Sequence, residues 1–214
     1  MPTPAIVERN RRTETAKAAR REEILGAARR VFATRGFRGT TIADIAEEAD
    51  VALGTIYLYF VSKEDVFAAL NQRFNELITA ALTNVPPATS LDETVRLRIN
   101  NVFATCAQNR DLVRLVVLNT DPESDVTKRL RQNNERRNGP MVRVLTEAMR
   151  EGQIRVADPC IMTNLTYGLV SIAVYQAFVL SDGADADKYR DGCVDMVVSY
   201  MSPVTEIDAS RAAK

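Results

Sequence analysis

The sequence predicts an all-α protein of about nine helices, because apolar residues recur at helical spacing along most of the chain. Residues that commonly cap helices, and Gly or Pro residues that commonly end them, stand at the limits of these apolar runs. No segment shows the apolar-polar alternation that is typical of strands, and no internal repeat is present.

The chain begins with a charged segment, residues 1–18, which has few apolar residues and is expected to form a flexible basic arm. The first helix follows and has an apolar face that includes Ile24, Ala28 and Phe32. It is predicted to end at Gly36, because glycine commonly adopts the left-handed conformation that closes a helix.

Three further helices complete an N-terminal domain, residues 19–82. Thr40 or Thr41 is expected to cap the second helix, and a tight turn separates it from a short third helix. Ser62, followed by Asp65, forms a near capping box for the fourth helix. Two short helices joined by a tight turn and packed on a preceding helix form the helix-turn-helix arrangement, whose second helix enters the major groove of DNA.

A second helical domain, residues 83–204, is predicted to follow, with a polar tail at residues 205–214. Its helices are expected at about residues 90–106, 111–118, 125–150, 159–181 and 187–201. Gly139-Pro140 is expected to interrupt the third of these helices, and Asp158-Pro159 to open the fourth. The basic run from Lys128 to Arg137 is interpreted as a solvated helix face.

The helix predicted at residues 159–181 is apolar around most of its circumference, which indicates burial on two sides. One side can serve the domain core and the other a subunit interface, together with the last helix; burial within a single subunit is the alternative. The longest apolar stretch, residues 168–180, is interrupted by two polar residues, and we expect it to be too short to cross a bilayer.

Charge is balanced over the whole chain, with 28 acidic and 28 basic residues, which excludes a uniformly basic nucleic-acid-binding coat. Residues 1–38 nevertheless carry ten basic against four acidic residues, an excess of six positive charges. Beside a helix-turn-helix, this local excess is expected to attract a phosphate backbone.

Histidine is absent, which excludes Ser-His-Asp and Cys-His nucleophilic sites and removes the commonest metal ligand. Cys106, Cys160 and Cys193 are widely spaced and odd in number, so the sequence offers neither a disulfide framework nor a CxxC metal site. We expect no cofactor and no metal. Because no apolar signal segment begins the chain, a cytoplasmic location is expected.

The most specific pattern lies between residues 40 and 64. It consists of TTIADIA at 40–46, Val51, GTIYLYF at 54–60 and SKE at 62–64. These motifs resemble the DNA-binding domain of the TetR family of bacterial repressors, and the resemblance covers residues 21 to about 70. It implies an N-terminal helix-turn-helix domain and a C-terminal helical domain for ligand binding and dimerisation, whose last two helices form the dimer.

The resemblance also implies which residues meet DNA. Thr41 would cap the second helix near a phosphate, and Ala43 would face the groove. Tyr57 and Tyr59 alone could be core-edge residues, but the flanking pattern favours DNA contact, and Lys63 would hold a phosphate. The expected DNA-binding residues are Arg38, Thr41, Ala43, Ala52, Leu53, Gly54, Thr55, Tyr57, Leu58, Tyr59 and Lys63.

One departure from the family pattern concerns the start of the third helix. Ala52 stands where the family often has a Ser or Thr cap, and Leu53 follows it. The third helix therefore has no Arg, Lys, Asn or Gln that could bind base edges in a bidentate manner. We expect recognition through thymine methyl groups and DNA shape.

A ligand cavity in the C-terminal domain would be largely apolar with two hydroxyl groups. The residues expected to line it are Phe103, Leu115, Met149, Tyr167 and Tyr175, although each alone could equally be ordinary core.

The sequence thus predicts a ligand-responsive transcriptional repressor that binds a pseudo-palindromic DNA operator as a homodimer. A small, mostly apolar effector would release it, and no membrane partner is expected. Two alternatives remain from other classes: a helical enzyme, and a helical small-molecule-binding protein without DNA function.

Overall fold

The computed structural model describes residues 4–119, 139 and 141–203, whose regular secondary structure is helical with no strand among them. The described part contains nine helices, which confirms the all-α prediction. They are α1 (Pro4–Gly39), α2 (Ile42–Glu48), α3 (Leu53–Tyr57), α4 (Lys63–Thr83), α5 (Leu91–Gln108), α6 (Arg110–Asn119), α7 (141–150), α8 (Pro159–Tyr175) and α9 (Ala186–Met201). A π-helical turn, Gln176–Leu180, extends α8.

The chain divides into two compact units, residues 1–75 and residues 76–214. The division falls inside α4, whereas the sequence placed a domain boundary after residue 82. The basic run Lys128–Arg137 and the tail at residues 205–214 lie outside the described residues.

In the first unit, α1 packs on α2 and α2 packs on α3. Fully buried side chains from three helices meet in its core, among them Ile24, Ile45 and Ile56. The ring of Phe37 lies 5.5 Å from that of Phe32 and 5.1 Å from that of Phe67 on α4. These tilted aromatic pairs tie the end of α1 to the start of α4.

The segment predicted to be a flexible arm, residues 1–18, is helical from Pro4 and continuous with α1. Glu8 accepts hydrogen bonds from Arg11 and Arg12, at 3.0 and 3.1 Å, and pairs of this spacing stabilise helices. Gly36 interrupts the helix with φ 71° and ψ 162°, a conformation that L side chains rarely adopt. The predicted role of Gly36 is therefore right, but one further helical turn follows it.

In the second unit, α5 packs on α9, and α9 packs on α8. Phe178 in the π-helical turn is fully buried, and its ring lies 5.9 Å from that of Phe103 on α5. Asp158 caps α8 by accepting hydrogen bonds from the backbone N–H groups of Cys160 and Ile161, at 2.8 and 2.9 Å. This cap, with proline in the first turn, is the one that the sequence predicts.

The apolar helix has the bounds that the sequence predicts to within one residue. Pro159–Leu180 spans 22 residues with a mean hydropathy of 1.3, and by length and composition alone it could cross a membrane. The stretch judged too short, residues 168–180, is the C-terminal part of this helix, which begins nine residues earlier at Pro159. One such helix is weak evidence for a membrane span, since the core helix of a soluble protein passes the same test.

Candidate nucleic-acid interface

Thr41 and Asp44 form a reciprocal cap at the start of α2. The Asp44 carboxylate accepts from the Thr41 backbone N–H at 2.7 Å and from its hydroxyl at 2.8 Å, while the Asp44 N–H donates to the Thr41 oxygen at 3.2 Å. The backbone and side-chain hydrogen bonds from Thr41, with the Arg35 guanidinium nearby, hold the pKa of Asp44 below its usual value. The cap fixes where α2 begins, and Thr41 remains exposed.

The turn between α2 and α3 is tight. Val51 donates from its backbone N–H to the carbonyl of Ala46 at 3.0 Å, and Asp50 has a φ of 51°. Asp is one of the few residue types other than Gly that tolerate this left-handed conformation. Ala52 stands at the N-cap of α3 and makes no side-chain cap, because its methyl group cannot accept a hydrogen bond.

Two buried anchors set the orientation of α3. Ile56 and Phe60 are buried, as the sequence predicts, and the Arg21 guanidinium lies 5.0 Å from the centre of the Phe60 ring. Thr55 and Tyr59 are half-buried. The remaining predicted contact residues of this region are exposed: Ala43, Ala52, Leu53, Gly54, Tyr57 and Leu58. The exposed face of α3 is therefore the one that the resemblance assigned to DNA.

Lys63 does not present a free ammonium group. Its Nζ donates to the carbonyl oxygens of Phe37 at 3.0 Å, Arg38 at 3.4 Å and Thr40 at 2.9 Å, and lies 4.9 Å from the centre of the Phe37 ring. An ammonium has three donors, so these contacts use all of them. The expectation that Lys63 clamps a phosphate disagrees with this geometry, in which it closes the end of α1.

The basic excess of residues 1–38 is partly neutralised by acids outside that segment. Arg30 pairs with Glu48 at 2.6 Å, and Arg35 pairs with Asp44. Arg38 is exposed, and its side chain has no partner within the described residues. Of these three, Arg38 is the cation that is free to meet a phosphate.

Val61 is an exposed residue beside α3 that the sequence did not single out. It lies between the buried Phe60 and the cap of α4, where the backbone N–H of Val61 donates to the Asp65 carboxylate at 3.2 Å. Because Val61 lies outside a helix, it belongs to no periodic pattern of apolar residues. Its exposure could therefore not be predicted from the sequence.

The five predicted effector-binding residues do not converge on the cavity that the second unit shows. Phe103 and Leu115 are buried, and Met149, Tyr167 and Tyr175 are half-buried. The cavity has a volume of about 370 Å³, and its apolar lining includes Val95, Ile154 and Met201. None of the five lines it, so their assignment remains a prediction.

The three cysteines are free thiols. Burial raises the pKa of Cys106 to about 12 and that of Cys193 to about 11, so both are protonated at neutral pH and unreactive. Cys160 is exposed on α8.

Comparisons with known proteins agree with this geometry. Residues 24–70 match the sequence model of the bacterial regulatory proteins of the tetR family. The fatty acid metabolism regulator protein of Bacillus subtilis (strain 168) is 26% identical over 164 residues, which cover 75% of this chain and 84% of that protein. The repressor KstR2 of Mycobacterium tuberculosis (strain CDC 1551 / Oshkosh) is 36% identical over 72 residues, 34% of this chain and 36% of that protein.

A solved structure extends the likeness to the fold of most of the chain. The transcriptional regulator FadR of Bacillus subtilis, solved in complex with stearoyl-CoA, superposes with a TM-score of 0.70 at 22% identity. The match covers 84% of this chain and 98% of that one.

A helix-turn-helix with an exposed second helix, joined to a helical C-terminal unit, defines a DNA-binding transcriptional regulator rather than an enzyme. Residues 24–70 form a DNA-binding domain of the tetR family of bacterial regulatory proteins.

Proposed function

We propose that the protein is a homodimeric repressor that binds a pseudo-palindromic operator and is released by an effector with an apolar chain. The observation that carries this proposal is the exposed, uncharged face of α3 held by the buried Ile56 and Phe60. Because α3 is the second helix of a helix-turn-helix, that face is the one that enters the major groove. The protein would act in the cytoplasm, where the DNA is.

Dimerisation is supported by a stripe of exposed residues along α8. Ile161, Leu165, Gly168 and Ile172 are spaced four, three and four residues apart, so they share one helix face. The three large side chains are 56%, 57% and 50% exposed in a single chain. Apolar stripes with this spacing are typical of helices that pack against a partner helix.

The last helix carries a matching stripe. Tyr189, Gly192, Met196 and Tyr200 lie three or four residues apart on α9, and all are exposed. Glycine on such a face lets a partner helix approach closely. Large apolar surfaces are rarely left uncovered on a soluble monomer, so a second copy of the chain is the occupant that we propose for α8 and α9.

The operator would share the symmetry of the dimer. A two-fold dimer presents two copies of α3, and these bind half-sites about one helical turn of DNA apart, centre to centre. The operator is therefore expected to be a pseudo-palindrome.

The effector is proposed to be an acyl compound with an acidic head group. The relative that matches three quarters of this chain is a fatty acid metabolism regulator, and FadR was solved with stearoyl-CoA. Arg98 on α5 supports an anionic group, because among the described residues its buried Nε has no partner and its Nη1 donates to the sulfur of Met141, at 3.7 Å. A guanidinium nitrogen withdrawn from water is costly unless it donates to an acceptor, and an anion is the strongest one.

A band-shift titration tests this proposal, using the duplex upstream of the protein's own gene and stearoyl-CoA as the probe. The protein should bind the duplex, and stearoyl-CoA should release it while coenzyme A alone does not. Arg98→Met should bind the duplex normally and need more stearoyl-CoA for release. Failure to bind any duplex would refute the repressor, whereas binding that stearoyl-CoA leaves unchanged would refute only the effector class.

A further inference from the structure

The DNA-facing surface of the first unit is unusually apolar. Leu53 is 45% exposed, Tyr57 53% and Leu58 76%. None of these side chains is needed for the core, because Ile56 and Phe60 already anchor the segment. Exposure of this much apolar surface is unfavourable by roughly 25 cal/mol for each Å², so a contact that covers it would be stabilising.

The same surface has almost nothing with which to bind polar base edges. The segment from Ala52 to Leu58 contains no Arg, Lys, Asn, Gln, Asp or Glu, and its polar side chains are those of Thr55 and Tyr57. Lys63, the first cation after α3, donates all three of its hydrogens inside the protein. Bidentate recognition of guanine or adenine therefore has no candidate on this helix.

The major groove offers one apolar group to such a helix, the 5-methyl group of thymine. We propose that Leu53 and Leu58 determine operator specificity by packing against thymine methyl groups in each half-site. Tyr57 lies between them on the chain and is exposed, so its phenol O–H can donate to a phosphate while the leucines meet the bases. This inference adds specificity-determining residues to the DNA binding described above and rests on it.

Other molecules that could cover this apolar surface fit it less well than DNA does. A lipid surface or a protein groove would also accept leucine side chains, but neither explains why they lie at the first residue and at the C-cap of the second helix of a helix-turn-helix. The cap formed by Thr41 and Asp44 and the contacts of Lys63 hold the preceding segments in place. The apolar side chains are thus fixed on the element that enters the groove.

Replacing thymine by deoxyuridine tests the inference, because it removes the methyl group and keeps base pairing. A duplex that binds tightly is first selected from a random pool, and each thymine is then replaced in turn. Wild-type protein should lose about fourfold in affinity for each methyl group that it covers, since one buried carbon contributes about that factor. Leu53→Ala and Leu58→Ala should each bind the thymine duplex more weakly than the wild type does. At the thymines that the missing leucine would contact, replacement by deoxyuridine should cause no further loss of affinity.

Val61→Ala is the matched control, because it removes methyl groups from a side chain about as exposed as that of Leu58 but beyond the C-cap of α3. It should keep the full deoxyuridine penalty. Thermal unfolding of each variant should match the wild type, since all three side chains are exposed.

Equal binding of thymine and uracil duplexes by the wild type would overturn the inference while leaving DNA binding intact. The inference would also be overturned if Leu53→Ala and Leu58→Ala both retained the full deoxyuridine penalty at every thymine. Failure to select any duplex would overturn DNA binding itself, and the inference with it.

Discussion

The ammonium group of Lys63 donates a hydrogen bond to the carbonyl oxygen of Thr40 at 2.9 Å, across 23 residues of chain. The same group reaches the carbonyls of Phe37 and Arg38, so it gathers three acceptors at the end of α1. Helix ends leave carbonyl groups without partners, and a cation there also interacts favourably with the helix dipole. Lys63 therefore joins the first turn of α4 to the last turn of α1.

Lys63→Met is expected to destabilise the protein by about 2 kcal/mol, because the carbonyls lose a charged donor. The slope of DNA affinity against salt should stay unchanged, whereas a phosphate contact would flatten it by about one unit for each contact. Chemical denaturation and a salt titration of binding measure the two effects. Lys17→Met, an exposed position on α1, should leave stability unchanged. If Lys63→Met left the stability unaltered and made the dependence of DNA affinity on salt less steep, Lys63 would contact a phosphate after all.

Tyr57→Phe is expected to weaken operator binding about thirtyfold, which corresponds to the loss of two hydrogen bonds of about 1 kcal/mol each, one from each subunit of the dimer. The hydroxyl of Tyr57 has no partner among the described residues, so its removal costs the free protein nothing. Affinity is measured by fluorescence anisotropy, and thermal unfolding should be the same for both proteins. An unchanged operator affinity would show that the Tyr57 hydroxyl does not contact DNA.

The fold was predictable wherever one helix carries its own signal. The caps at Thr41 and Asp158, and the buried pair Ile56 and Phe60, depend on residues at most four positions apart, and the structure has all of them. The helical start of α1 was missed because few apolar residues lie there. The Glu8 pairs with two arginines were a readable signal of helix.

The site was predictable only in part, because some of its contacts join distant segments. Lys63 carries a phosphate-binding pattern in the sequence, yet its acceptors lie 23 to 26 residues earlier and are brought close by tertiary packing. The effector-binding residues require several helices to converge, and Phe103 illustrates the difficulty. Its spacing on α5 predicts burial, which is right, but burial alone does not distinguish core from cavity lining.

The exposed stripe on α8 leads to a prediction about assembly. Leu165→Glu should convert the dimer to a monomer, because two-fold symmetry places two buried carboxylates at one interface. Sedimentation at micromolar protein should give twice the 23.7 kDa chain mass for the wild type and the single mass for the variant.

Val156→Glu is the control for that experiment, since Val156 is 85% exposed and lies outside α8 and α9. It should sediment as the dimer does. If Leu165→Glu remained dimeric, the dimer interface would not include this stripe. If the wild type were monomeric, the proposed dimer would be wrong.

The last prediction concerns α4, which runs through the division between the two units at residues 75 and 76. Its 21 residues form a continuous helix about 30 Å long, at 1.5 Å for each residue. An effector that binds the second unit can change DNA binding only by favouring one state of the protein over another. If α4 carries that difference, its stiffness at the division should control the coupling.

A pair of glycines tests the stiffness of α4 without altering either binding surface. Asn75→Gly combined with Glu76→Gly loosens the helix by roughly 1 kcal/mol for each residue relative to alanine, and Asn75→Ala combined with Glu76→Ala is the matched control. Both variants lose the same side chains, including the hydrogen bond from Asn75 to Asn71, so they differ only in backbone freedom. In the wild type and the alanine variant, stearoyl-CoA should weaken operator binding by roughly five- to 150-fold, the usual range of allosteric coupling. In the glycine variant that factor should fall towards one, while binding of stearoyl-CoA measured by calorimetry stays the same. Equal factors in the glycine and alanine variants would show that the effect of the ligand does not depend on the continuity of α4.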